Sequence, residues 1–127
     1  MKGNWEFEAV SNQVIGLAIE VHRTLGPGLL ESAYERCLCH ELDVHNIAFQ
    51  RQVSIPVSYK GVQLDCGYRL DLVVNNQLIV EIKAVERLLP LHAAQLKTYL
   101  KLAGIRAGLL LNFNAETLRD GMKRVVV

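Results

Sequence analysis

The sequence predicts an α/β fold in which a mixed central β-sheet, containing an antiparallel hairpin and a β-α-β crossover, is flanked by helices. Three stretches carry this prediction. Gly67 to Lys83 (GYRLDLVVNNQLIVEIK) holds two apolar runs, Tyr68–Val74 and Leu78–Ile82, around an Asn-Asn-Gln break, which is the pattern of a hairpin. Leu88–Leu102 reads as a helix and is followed by the continuous apolar run Ala107–Phe113 (AGLLLNF), a buried strand that returns parallel to the one before the helix. Two further amphipathic stretches before the hairpin supply helices for its faces.

At 127 residues, 50% hydrophobic and 21% charged, the chain reads as a single folded domain over residues 1–127 with a real core, and disorder as the main state is excluded. The formal net charge is only +1, so no nucleic-acid partner follows from overall basicity, and any basic surface has to come from local clustering. An N-terminal charged-then-apolar signal and a membrane-length apolar run are both missing, so the expectation is a soluble, cytoplasmic protein without a membrane partner. Cys37, Cys39 and Cys66 are odd in number, which points to reduced, partly buried thiols rather than a disulfide framework. Cys37 and Cys39 are two apart on a predicted helix and point in nearly opposite directions, so zinc is not expected there.

Taken in order, Met1–Glu8 reads as a loosely ordered lead-in. Ser11–Thr24 follows as a helix with Val14, Ile15, Leu17, Ala18, Ile19 and Val21 in a broad apolar stripe and Ser11 as its cap. His22 and Arg23 fall in its last turn, where complementing the helix dipole accounts for them without any function. Gly26-Pro27-Gly28 stops that helix. A second runs over Leu29–Asp43, with Leu30, Ala33, Tyr34, Cys37, Leu38 and Leu42 inward and Glu31 and Tyr34 sharing a face. Ile47–Ser58 reads as a strand with an edge at Pro56. After a turn at Lys60-Gly61, Val62–Cys66 returns and continues into the hairpin. In the Leu88–Leu102 helix Pro90 lies in the first turn and Gly104 at the end. His92, Gln95 and Tyr99 stack along one side of it, which by itself is a solvated face, and Lys97 and Lys101 add positive charge that a phosphate backbone could use. Ala115–Arg124 closes the chain.

The chemistry lies in the hairpin. Glu81 and Lys83 are two apart on one strand and project together. With Asn75-Asn76-Gln77 as a three-residue loop, Val74 pairs with Leu78 and Asp71 stands directly opposite Glu81; a two-residue loop would send the two carboxylates to opposite faces. Asn tolerates the left-handed conformation such a loop needs. On a wet sheet edge the three charges would be an ordinary cross-strand salt bridge. These strands are apolar on both faces, so a covered sheet is expected, and two acids and a lysine buried there need compensation. A divalent cation held by Asp71 and Glu81, with Lys83 beside it, is one arrangement that satisfies all three.

The assembled pattern resembles the PD-(D/E)xK nuclease superfamily: Asp71 on one strand, Glu81-Ile82-Lys83 on the next, then a helix with Gln95-Leu96-Lys97-Thr98-Tyr99. That last piece is similar to the Q-x-x-x-Y motif of the RecB-like branch. Gly28-Leu29-Leu30-Glu31-Ser32-Ala33-Tyr34 fits the signature of the GxxExxY protein family, and with IEVHRTLGPGLLE before it and LLNF after it the resemblance covers nearly the whole chain. It implies a restriction-endonuclease-like core. Asp71 and Glu81 would be direct metal ligands, with the Ile82 carbonyl completing the protein's share and Glu31 as a helix-borne acid pointing at the metal. Lys83 would orient or activate the attacking water, and Gln95 and Tyr99 would position these groups or the strand being cut. His22 would be an accessory polar neighbour. The proline that often precedes the first strand acid is replaced by Leu70.

The resemblance therefore implies a nuclease that hydrolyses phosphodiester bonds in DNA or RNA with Mg²⁺ or Mn²⁺ and a metal-activated water, since hard carboxylate oxygens suit those ions. Lys97 and Lys101 are candidate nucleic-acid contacts, and a symmetric homodimer is the expectation for cutting two strands. The competing reading is a catalytically silent module that keeps the fold for nucleic-acid binding or protein interaction. No Gly-rich phosphate loop and no Ser or Cys triad offers another chemistry.

Overall fold

The computed structural model describes residues 2–127. Two helices come first, α1 (Lys2–Leu25) and α2 (Glu31–Val44), followed by β1 (Phe49–Ser54), a hairpin of β2 (Val57–Tyr59) and β3 (Val62–Leu64), β4 (Arg69–Val74), β5 (Leu78–Lys83), α3 (Pro90–Ala103) and β6 (Ala107–Asn112). A 3₁₀ turn at Leu118–Gly121 leads into β7 (Met122–Val126). One sheet has the order β1-β4-β5-β6-β7; β5 and β6 are parallel and every other neighbouring pair is antiparallel. This is the mixed, helix-flanked sheet that the apolar runs predict, with α3 as the crossover.

β5 is central because its sequence is apolar on both faces: Leu78, Val80 and Ile82 pack with α1 and α2, while Ile79 packs with α3. Each fully buried Leu or Ile contributes about 1.5–3 kcal/mol. The hairpin register is the expected one, with Val74 opposite Leu78. Asn75 and Asn76 take left-handed φ values of 53° and 54° in the connecting turn, as Asn can at low cost. At the end of α3, Gly104 adopts φ 70° and accepts the role of left-handed cap.

Several local expectations are corrected. α1 starts at Lys2, so the segment up to Glu8 is helical from there on, with Met1 outside the described residues, and Ser11 is a buried residue within the helix, not its cap. No proline interrupts that stretch, and the apolar stripe continues backwards through Val10. On α2, Leu30 is 78% exposed, because it lies in extended backbone just before the helix, and Glu35 and Cys39 are the additional buried residues. The long strand over Ile47–Ser58 breaks at Ile55-Pro56, since proline has no N–H to continue the ladder. β2 and β3 form a separate two-stranded hairpin, so Val62–Cys66 does not run on into β4. The closing segment contributes β7, which covers the outer edge of β6.

Among the described residues no helix is long and apolar enough to cross a membrane. The three cysteines are free; Cys39 is buried and Cys66 exposed.

Candidate metal and active site at the β4–β5 fork

β4 and β5 pair regularly from Val74↔Leu78 to Leu72↔Val80 and then stop. One more step would place Asp71 against Glu81. There, side chains replace the ladder: the Asp71 N–H donates to Glu81 Oε2 at 2.8 Å, and the Ile82 N–H donates to Asp71 Oδ2 at 2.7 Å. Each carboxylate thus satisfies a main-chain donor of the opposite strand, leaving Asp71 Oδ1 and Glu81 Oε1 outside these two bonds.

Glu81 is 5% exposed. Burial, and after it the charge of Asp71, pushes its carboxyl up to about 8 from the usual 4.5. Asp71 is raised as well, chiefly by burial, against the Ile82 hydrogen bond and the Lys83 charge, which lower it. Lys83 is half-buried on the Glu81 side of β5, and its charge favours the ionised form of both acids. The one ion pair among the described residues is elsewhere, Arg51 Nε with Glu35 Oε2 at 2.7 Å. Two converging acids without a paired cation are the kind of donor set a divalent ion relieves.

Glu31 approaches from the start of α2. Its Oε2 accepts the Ala84 N–H at 3.2 Å, just past Lys83, and its charge acts on both Asp71 and Glu81. Tyr34 fixes that helix start: its buried hydroxyl donates to the Gly26 carbonyl at 2.6 Å and accepts the Leu29 N–H at 3.0 Å. The Gly and Tyr of the G-x-x-E-x-x-Y pattern therefore shape the turn that delivers Glu31, with Gly28 at φ 105°.

His22 does not join the acids. It is buried, its Nε2 donates to the Ala115 carbonyl at 2.8 Å, and its ring lies 6.2 Å from Phe113, which stacks on Tyr34 at 4.6 Å. These contacts tie three separate sequence motifs together.

From α3, Tyr99 is buried and its hydroxyl pKa is raised, by desolvation first and then by Glu81 and other negative charge nearby. Tyr68, at the entry to β4, lies 5.8 Å from it, ring to ring, and is exposed. Gln95, one turn earlier, is exposed, as are Lys97 and Lys101. The expected solvated row along α3 is therefore broken: Tyr99 is buried, and His92 Nδ1 accepts the Leu89 N–H at 2.9 Å as a cap at the start of the helix.

Sequence reasoning missed two supports. Asn112, buried opposite Lys83 on the parallel strand, holds the turn after Lys83: it accepts from the Val85 N–H at 3.0 Å and donates to the Val85 carbonyl at 2.9 Å. Its signal was present, as the one polar residue in AGLLLNF. Glu35 is the other. It accepts from Arg51 Nε and Gln52 Nε2, both at 2.7 Å, and its spacing of four from Glu31 already placed it on the same helix face.

Among the described residues no three His, Cys, Asp or Glu side chains are gathered as a metal cage. Asp71 and Glu81 fit an ion that needs fewer protein ligands: Mg²⁺ is commonly held by one or two carboxylates together with water and substrate phosphate. The profile of the PD-(D/E)XK nuclease superfamily matches residues 8–125 of the chain. No curated protein and no solved structure gives a significant match.

Proposed function

The chain belongs to the PD-(D/E)XK nuclease superfamily, and from that premise we propose that it is a nuclease dependent on Mg²⁺ or Mn²⁺ that hydrolyses phosphodiester bonds in DNA or RNA, of the GxxExxY type with the RecB-like Q-x-x-x-Y arrangement. The observation that carries this reading is the fork at Asp71 and Glu81, where two carboxylates converge beside Lys83 and, among the described residues, no cation is paired to them. Asp71, Glu81 and the Ile82 carbonyl would hold the ion, and Glu31 would lie at its outer side. When bound, such an ion lowers the pKa of water and polarises a phosphoryl oxygen.

The protein's own groups supply the rest. Lys83 presents a fixed positive charge to the phosphate and to the attacking water, where it offsets the negative charge that develops in the transition state. Tyr99 walls the α3 side of the acids, and Gln95 one turn away faces solvent where a nucleic-acid strand would pass. Lys97 and Lys101 add phosphate contacts. All 127 residues would act as one nuclease-like domain, located in the cytoplasm.

A second reading has an observation of its own. One oxygen of each carboxylate is already satisfied by a main-chain N–H, so the two acids also serve the fold itself, as they would in a catalytically silent module that binds nucleic acid or protein. Titration of Mn²⁺ into the protein, with the Asp71→Asn/Glu81→Gln double variant as control, separates the two: binding that the variant loses favours the nuclease. Cleavage of labelled oligonucleotides then tests turnover. Asp71→Ala should abolish it and Lys83→Ala should lower it by about 10²–10³-fold in protein that remains folded, and undiminished cleavage by both variants would refute the assignment.

A further inference from the structure

Asp71 stands at a fault in both of its strand pairings. On the β5 side the ladder ends one residue earlier, and on the β1 side it passes from Arg51↔Leu72 to Val53↔Leu70, leaving out Gln52 and Asp71. Both strands turn over at this point. Phe49, Leu72 and Val74 pack with α1 and α2, while Val53, Ile55 and Leu70 pack with α3, although residues two apart on a regular strand keep to one face. The backbone records the same event: Gln52 has φ 53°, a left-handed conformation that a long L side chain adopts only under constraint.

Glu35 accounts for the constraint. Adjacent residues on a regular strand point to opposite faces, yet Arg51 and Gln52 both donate to the carboxylate of Glu35, at 2.7 Å each. That is geometrically available because Gln52 is inverted. Glu35 itself is 5% exposed, so these two donors are what make its burial tolerable.

We propose that Glu35 is a positioning residue of the acid site: by accepting from Arg51 and Gln52 together it holds the inverted backbone opposite Asp71, and so sets where the Asp71 carboxylate meets the Ile82 N–H and Glu81. Its consequence for metal binding rests on the nuclease reading; its consequence for the fork does not. Supports of this kind around metal ligands alter affinity by about 10–100-fold.

Gln52→Met is the decisive variant, because a side chain of similar length keeps the cost of the left-handed backbone at position 52 and loses the amide that donates to Glu35. Hydrogen exchange at the Asp71 and Ile82 amides, followed by NMR, reads the fork directly, and Mn²⁺ titration reads the site. Exchange at both amides should accelerate in Gln52→Met and Mn²⁺ binding should weaken about tenfold, whereas Gln52→Gly, which takes φ near +53° without the clasp, should stay close to wild type in both. Glu35→Gln retains an acceptor oxygen and should fall between Gln52→Met and wild type. Unchanged exchange at both amides in Gln52→Met overturns the proposal, as does acceleration in Gln52→Gly equal to that in Gln52→Met. Absence of Mn²⁺ binding by the wild type would count against the nuclease reading alone, and the exchange rates would still decide the role of Glu35.

Discussion

Asp71 and Glu81 satisfy each other's strands: the carboxylate of Glu81 takes the main-chain N–H of Asp71, and the carboxylate of Asp71 takes that of Ile82, next to Glu81. Two acids are thereby anchored where the ladder between β4 and β5 opens. A hydrogen bond to an ionised carboxylate is worth roughly twice a neutral one, which favours charge on these acids. Burial and mutual repulsion oppose that charge, and their balance sets the behaviour below.

Stability without metal should fall as pH rises. Glu81 is raised in the folded state to about 8 from 4.5, and Asp71 is raised too, so between these values the folded protein holds protons that the unfolded chain has released. Stability is then greatest below the unfolded pKa and is lost as pH rises towards 8. Thermal melts from pH 5 to 8 in EDTA should show a declining Tm, with a flatter profile for Glu81→Gln. A Tm that is constant or rises over this range in the wild type contradicts the expectation.

Added Mn²⁺ should act in the opposite direction. An ion that binds the ionised pair stabilises the folded state by mass action, by about 2.7 kcal/mol at a hundred times its Kd, and it competes with protons for Glu81. The Tm gain from Mn²⁺ should therefore be larger at pH 8 than at pH 6, and absent in the Asp71→Asn/Glu81→Gln variant. An equal gain in that variant would place the ion elsewhere.

Tyr34→Phe should cost about 1–3 kcal/mol. It removes a hydroxyl that bridges the Gly26 carbonyl and the Leu29 N–H while keeping the ring stacked on Phe113. Because the turn delivers Glu31 to the Ala84 N–H, exchange at Ala84 should also accelerate. A drop in Tm without change at Ala84 would confine Tyr34 to stability.

Asn112→Ala should destabilise by about 2–4 kcal/mol, since a buried side chain that serves both polar groups of Val85 is lost. The turn after Lys83 should loosen, seen as faster exchange at Val85. Wild-type stability in this variant would mean that water replaces the amide.

A symmetric dimer is expected if both strands of a duplex are cut. Light scattering after size exclusion, across a range of concentrations, should show twice the mass of the chain. A monomer at high concentration argues for a single-stranded substrate or cutting of one strand.

Local pattern was enough for the hairpin and for the crossover. An odd turn of Asn75-Asn76-Gln77 fixed the pairing of Val74 with Leu78 and so brought Asp71 to Glu81, because strand parity is a matter of counting. Pro90 and Gly104 bracketed α3, whose preferences at those positions are those of the residues themselves. Tertiary contact decided what counting cannot reach. The inversion at Gln52 is not a preference of glutamine; it exists because Glu35, seventeen residues earlier, is buried where both Arg51 and Gln52 must reach it. Likewise β7 forms because β6 leaves an open edge, and His22 is drawn to Phe113 and the Ala115 carbonyl, far along the chain, rather than to the acids. Periodicity is written in neighbours along the chain, whereas hydrogen-bond partners of buried side chains are chosen only when the sheet and helices close around them.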